Sequence, residues 1–574
     1  MSAPSQNAPS KNAPSKNEGI KLASRALRGG IAEGLGISST GSLDEDDTQL
    51  TKFHGIYQQD DRDLRPERGR KRMERAYSFM ARLRIPGGRV LPAQWLQLAE
   101  IARERGNGTI KITTRQTVQF HGIIKGNLKP AIAAVNLALL DTIAACGDVN
   151  RNVIATSNPH ESPAHADVLR LAHEISGYLL PKSQAWHEIW IDDQQVTGHE
   201  TEEEPLYGKT YLPRKFKIAI AVPPQNDVDV FAHDLGLIAI VEHGVITGYN
   251  VSVGGGMGMT HGETDTFPRT GTVIGFCTPE QVLAVSEIVV AVQRDEGDRS
   301  VRKHARLKYT IERMGADAFR DEMERRLGFT LQAARPFTFD GQGDRLGWYQ
   351  DHQGGAHYGF FIENGRVHDA IGEALREICQ VHSGEFILTA NQNLIIAGVI
   401  PGERAVLDEI LARYHVVHAS SPLRRNSMAC VALPTCGLAL AESERYLPSL
   451  VSKIDAIMDH AGVGADEVVL RMTGCPNGCA RPFMAEIALV GRGPDRYNLY
   501  LGGAFDGTRL NKLYRADVDE AAVLAVLTPL FQGWASGRVP GEHFGEWVIR
   551  AGHIQATTAG NRFHLDLNTE LVAA

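Results

Sequence analysis

An internally duplicated α+β fold is what this sequence predicts, and three observations carry the prediction. Residues 108–123 (GTIKITTRQTVQFHGI) align without gaps on residues 384–399 (GEFILTANQNLIIAGV), with both glycines, Thr113/Thr389 and Gln116/Gln392 coinciding. A Gly-Arg-Val (88–90 and 365–367) and then a helix-like stretch (95–103 and 371–381) precede each copy, so each unit reads strand, helix, strand. Residues 249–255 (YNVSVGG) echo residues 497–503 (YNLYLGG) in the same order. The chain therefore reads as two small α+β units, each followed by a larger one.

The elements follow in order. Residues 1–51 open with repeated Ala-Pro-Ser and Lys-Asn, a composition that buries too little apolar surface to order itself, and are expected to form a disordered, partner-binding tail. The tail lacks the apolar middle and cleavage site of a secretory signal. Residues 52–140 form the first small unit and 141–340 the first larger one, with a strand at 217–222 closed by Pro223-Pro224 and a helix at 279–293. The glycine-rich stretch 341–355 is expected to link the halves. The second small unit spans 341–424 and the last unit 425–574, with a helix at 442–460 and a strand at 485–490.

Composition narrows the function. At 574 residues and 43% hydrophobic, the chain can bury several cores. A net charge of −8 argues against general nucleic-acid binding. Apolar runs fall far short of the roughly 18 residues a membrane span needs. Seven cysteines in a long chain without a recognisable signal point to a reducing compartment, the cytoplasm by default, where thiols serve metals or packing.

Four of the cysteines cluster, as Cys430-x5-Cys436 and Cys475-x3-Cys479, the latter within Thr-Gly-Cys-Pro-Asn-Gly-Cys. Soft thiolates at four positions suit an iron–sulfur cluster or zinc. Zinc sites favour two residues between paired cysteines, so spacings of five and three lean toward iron–sulfur, with buried thiols as the plain alternative. Cys146, Cys277 and Cys379 stand apart and read as packing residues.

Cations gather in the first half despite the acidic total: Arg82, Arg115, Arg151, then Arg214, Lys215 and Lys217, then Arg306. Most charged runs are solvated faces. Here, however, Pro213-Arg-Lys-Phe-Lys217 leads straight into an apolar strand, with Lys215 and Lys217 on one face and Phe216 on the other. Part-buried cations of this kind need anionic partners, such as a polycarboxylate cofactor or an oxyanion substrate.

With these residues in view, the chain resembles the sirohaem-dependent sulfite and nitrite reductases. The cysteine signature carries the likeness, and residues 53–62 (FHGIYQQDDR) and 427–430 (SMAC) place it nearest the NADPH-dependent sulfite-reducing branch. The resemblance runs from about residue 52 to residue 552. It implies two ferredoxin-like halves and two larger cofactor-binding units about a pseudo-two-fold axis. It also implies a 4Fe–4S cluster on Cys430, Cys436, Cys475 and Cys479, with Cys479 bridging to the iron of a sirohaem. Arg82, Arg151, Lys215 and Lys217 match the substrate-side cations. Arg115, Arg214 and Arg306 match positions near the sirohaem carboxylates, the last where lysine is expected, and Gln119, His121 and Asn477 match positions lining the macrocycle. Lys217 favours sulfite, because nitrite-specific relatives tend to carry asparagine there.

Residues 254–258 (GGGMG) lack the strand–GxGxxG–helix context of a dinucleotide site, so electrons are expected from a separate NADPH-oxidising flavoprotein. A ferredoxin-dependent sulfite or nitrite reductase is the alternative, and a non-catalytic metal protein with four cysteine ligands that binds RNA is the remote one.

Overall fold

The structure, a computed structural model, describes residues 13–182, 189–191, 194–197, 204–415, 420–565 and 567. Both repeated segments fold as antiparallel hairpins: Ile110–Ile112 pairs with Val118–Ile123, and Glu385–Leu388 with Leu394–Val399. Each sits at the heart of a five-stranded sheet, and each sheet takes its last strand from the other copy. Arg366–Val367 completes the first sheet by pairing with Lys111 and Ile110, and Arg89–Val90 completes the second by pairing with Ile387 and Phe386.

That exchange explains the glycine of each Gly-Arg-Val. Gly88 and Gly365 have φ of 78° and 68°. A side chain on Gly88 would meet Leu388 O at 2.4 Å, and one on Gly365 would meet Ile112 O at 2.5 Å, so only glycine fits the crossing. Helices Pro92–Arg105 and Asp369–Val381 bury Trp95, Leu98 and Ile101, and Ala374, Leu375 and Ile378, in one core shared by both copies.

The larger units repeat as well. Ile154–Ala155, Ile218–Ala221, Leu235–Glu242, Val245–Val253 and Thr272–Cys277 form one sheet, its first three strands parallel and the remainder antiparallel. Ser427–Ala429, Leu470–Thr473, Ile487–Gly493, Arg496–Leu501 and Lys512–Val518 form the other with the same order and directions. Helix Val282–Glu296 flanks the first and Leu447–Ala461 the second.

One expectation needs correction, and a second gains detail. The segment read as a disordered tail lies outside the described residues only up to residue 12; Lys16–Ala23, Ile31–Gly36 and Glu45–Leu50 are helices. Buried Lys21 holds this arm down: it pairs with Glu18, donates to Leu212 O at 2.8 Å and lies 3.7 Å from Asp148. Arg299 meets Glu18 at 2.6 Å and Arg302 meets Asp148 at 2.9 Å. The arm is thus ordered by ion pairs inside the protein, which an estimate of its apolar surface leaves out. The glycine-rich link is also more than a spacer. Gln342 is buried, its amide donating to Met484 O at 3.1 Å and accepting from Arg471 at 2.8 Å, so the link is wedged between the halves.

Candidate functional site

Two parallel strands explain how cysteines some forty positions apart converge. Ala429 pairs with Met472, so Cys430 and Cys475 leave adjacent strands at their C-terminal ends, where open sheets place ligand sites. Gly474 N–H points at Cys430 Sγ at 3.4 Å, and the Asn477 amide at Cys475 Sγ at 3.5 Å. Burial, then the charge of Cys479, pushes the Cys430 and Cys436 thiols up, and the Cys475 thiol up to about 11. The protein alone therefore disfavours these thiolates, and a bound metal would supply the compensating positive charge.

The sulfurs lie close enough to feel one another, yet among the described residues no group of three or more metal-ligating side chains closes on a single ion. Four thiols with no nitrogen donor among them suit an iron–sulfur cage, the group that the cysteine signature implies.

The second half's cysteine loop is clasped by the first half. Met259 N–H donates to Pro476 O at 2.8 Å, and a side chain on Gly258 would lie 3.2 Å from Asn477 O, so the glycine-rich 254–258 segment serves close packing. Thr114 Oγ1 donates to Cys479 O at 3.0 Å. Arg481 donates to Thr114 O at 3.0 Å and pairs with Asp229, which Arg471 also contacts at 2.5 Å.

Beside this loop the first half presents its cations. Lys215 and Lys217 flank buried Phe216 just before strand Ile218–Ala221, so both ammonium groups share one face. Burial, then Arg214, Arg306 and Arg151, brings Lys215 down to about 7, opposed by the nearby Cys479 thiol. Lys217 is pushed further down by burial and then by Lys215, Arg115, Arg306 and Arg151, all of one sign. Burial and the same kind of crowding lower Arg115 to about 9 and Arg214 to about 10. Among the described residues the buried Nε of Arg115 has no hydrogen-bond partner. A recess with this much like charge and an unpaired guanidinium nitrogen is built for a multiply anionic occupant; the carboxylates of a sirohaem and an oxyanion beside them fit it.

The remaining expected residues divide. With its amide oxygen toward Arg82, Gln119 accepts from Arg82 Nε at 2.9 Å, and the His121 nitrogens lie 3.3 Å from the Gln119 and Gln59 amides. Burial, then Arg366, lowers His121 to about 3, so its ring is neutral. Arg306 is in the recess, but its fork is engaged by Asp234 at 2.7 Å and 3.2 Å. Arg151 lies against Gly147 O at 3.0 Å; burial opposes its charge, but Tyr57, Cys146 and Asp148 outweigh burial and raise it.

Sequence reading missed part of this lining. Cys146, read as a packing cysteine, is buried but receives Arg82 Nη1 at 3.0 Å, and Tyr57 stands with it among the arginines. Cys277 and Cys379 do pack in cores.

Fold and site together define a duplicated redox-cofactor scaffold, one half contributing sulfur and the other positive charge. The chain belongs to the nitrite and sulphite reductase family. The ferredoxin-like half domain of that family matches residues 71–138 and 349–414, and its 4Fe-4S domain matches residues 175–331. The latter match falls on the first larger unit, whereas the four clustered cysteines stand in the second. The chain is 57% identical to the sulfite reductase (NADPH) hemoprotein beta-component of Chromohalobacter salexigens, over 95% of this chain and 97% of that one. It is 58% identical to the like-named protein of Methylorubrum extorquens, over 95% and 91%. Among solved structures, Mycobacterium tuberculosis NirA superposes with a TM-score of 0.76 at 25% identity, covering 94% of this chain and 97% of that one.

Proposed function

We propose that this chain is the haem-protein component of an assimilatory sulfite reductase, reducing sulfite to sulfide with a sirohaem coupled to a 4Fe–4S cluster. The observation that carries the reading is Thr114 Oγ1 donating to Cys479 O at 3.0 Å, one residue from the buried cation Arg115, which brings the cation-bearing half onto the sulfur loop of the other. The 57% identical relative named as a sulfite reductase supports it over nearly the whole chain.

The balance is sulfite with six electrons and seven protons giving hydrosulfide and three waters. When bound, the sirohaem supplies an iron at which sulfur is reduced, and the cluster supplies electrons singly. Cys430, Cys436, Cys475 and Cys479 would hold the cluster, with Cys479 shared by the two cofactors. Arg115, Arg214 and Arg306 would neutralise sirohaem carboxylates, with Gln119, His121 and Asn477 along the macrocycle. Arg82, Arg151, Lys215 and Lys217 would draw in the oxyanion and stabilise charge as each S–O bond breaks. An ammonium held near neutrality, as Lys215 is, suits proton delivery to the departing oxygen.

Electrons would come from a separate flavoprotein that oxidises NADPH; the relatives' names, which give NADPH and a beta-component, support a separate NADPH-oxidising component. Among the described residues no helix is long and apolar enough to cross a membrane, and all seven cysteines are free thiols, which suits the cytoplasm. The test is an anaerobic assay with reduced methyl viologen, comparing sulfite and nitrite. Stoichiometric sulfide with sulfite preferred supports the proposal; preference for nitrite overturns it.

A further inference from the structure

Lys111 and Ile387 occupy the same position of the duplicated hairpin, and both are buried, at 1% and 0% exposure. The hairpin therefore packs well around an apolar side chain at this point. In the first copy it nevertheless buries an ammonium, which is costly unless the charge is answered.

The answering groups come from the other half. Lys111 Nζ donates to Asn364 O and lies 2.9 Å from Glu444 Oε2. Arg366, the cross-strand partner of Lys111, forks onto the same carboxylate at 2.6 Å and 3.1 Å. The Asn364 amide donates to Glu444 O at 3.1 Å, and the Glu444 N–H donates to Cys430 O at 3.2 Å. Two cations and one carboxylate, a net single positive charge, are thus packed directly behind a cysteine of the sulfur cluster. At the equivalent point of the second copy stands Ile387, beside strand Arg89–Val90.

We propose that Lys111, together with Arg366, sets the reduction potential of the cluster held by Cys430. Reduction adds negative charge to the cage, and a nearby cation shielded from water favours that state, raising the potential. Glu444 orients both cations and tempers their effect. Lys111 is a positioning residue in this sense: it acts on electron occupancy through the cluster and does not touch substrate. The inference rests on the cluster reading above and adds a specific determinant of its potential.

The test is an EPR-monitored reductive titration of the reconstituted holoenzyme, wild type against Lys111→Ile and Glu444→Gln. Lys111→Ile imports the side chain that the second copy already accommodates, so the hairpin should still form. It should leave the cluster about tenfold more oxidised at the wild-type midpoint, a fall of about 59 mV for one electron. Glu444→Gln should shift the potential upward. An intact cluster with an unmoved potential in Lys111→Ile, or a downward shift in Glu444→Gln, overturns this inference alone. Wild-type protein without iron and labile sulfide overturns the cofactor reading and this inference with it.

Discussion

Gln116 and Gln392 make the same contact in the two copies: Gln116 Nε2 donates to Ala155 O at 2.8 Å, and Gln392 Nε2 to Ala429 O at 3.1 Å. Both have positive φ, 48° and 72°. Each amide thus ties a small unit to the first strand of the larger sheet that follows it. On this common frame the copies diverge, because Arg115, Gln119 and His121 of the first correspond to Asn391, Ile395 and Ala397 of the second. One half keeps these polar groups and the other keeps the four clustered cysteines, so the proposed site is single although the fold is doubled.

Replacing Lys217 by Met should lower sulfite kcat/KM by about 100-fold, the loss of roughly 2.7 kcal/mol of charge stabilisation. Sirohaem and iron content should stay near wild type, since Arg115 and Arg214 remain. Unchanged turnover under viologen would remove Lys217 from the site.

Cys479→Ser should abolish the electronic coupling between the two cofactors, because serine offers no soft thiolate to share between irons. The check is the optical and EPR signature of the reduced protein. A wild-type coupled spectrum would refute the bridging role.

Glu486 predicts a pH effect away from the site. It is fully buried and accepts from Val469 N at 2.9 Å and Gly545 N at 2.8 Å; burial outweighs both bonds and pushes its carboxyl up to about 8. The folded chain therefore holds a proton that the unfolded chain releases near the ordinary carboxyl range. Its contribution is complete below about pH 4.5 and is lost as pH rises toward 8, at up to about 1.4 kcal/mol per pH unit. Glu486→Gln should be less stable at pH 5, having one acceptor fewer, and should show a flatter stability slope to pH 8 in urea melts. An unchanged slope would mean that Glu486 does not hold this proton.

Lys21→Met should release the N-terminal arm. Asp148, held down to about 2 because Arg302, Lys21 and Arg214 outweigh burial, would keep Arg302, and Glu18 would keep Arg299. The cost should be about 3 kcal/mol, the lower end for breaking a buried pair. Limited proteolysis should cut within residues 13–50 much faster than in wild type; equal rates would show that Lys21 does not anchor the arm.

Much of the architecture was legible in advance. The hairpin repeats, the helices after each Gly-Arg-Val and the strand after Lys217 follow from local periodicity and punctuation, which act over a few residues. Cys146 and Tyr57 were not legible as site lining, because nothing in their immediate neighbourhood announces Arg82 or Arg151. The N-terminal arm misled for a related reason: its composition offers little apolar surface, and the ion pairs of Lys21 and Glu18 with Asp148 and Arg299 come from distant positions.

By itself the sequence determined that the chain is doubled, that four clustered cysteines lie late in it, and that cations precede an apolar strand early in it. Only the tertiary structure decided that the two copies exchange the Arg89–Val90 and Arg366–Val367 strands, and that the sulfurs of one half face the cations of the other. Pairing between distant strands depends on which partner edge is free and which side chains can be buried together, and that information is spread across hundreds of positions.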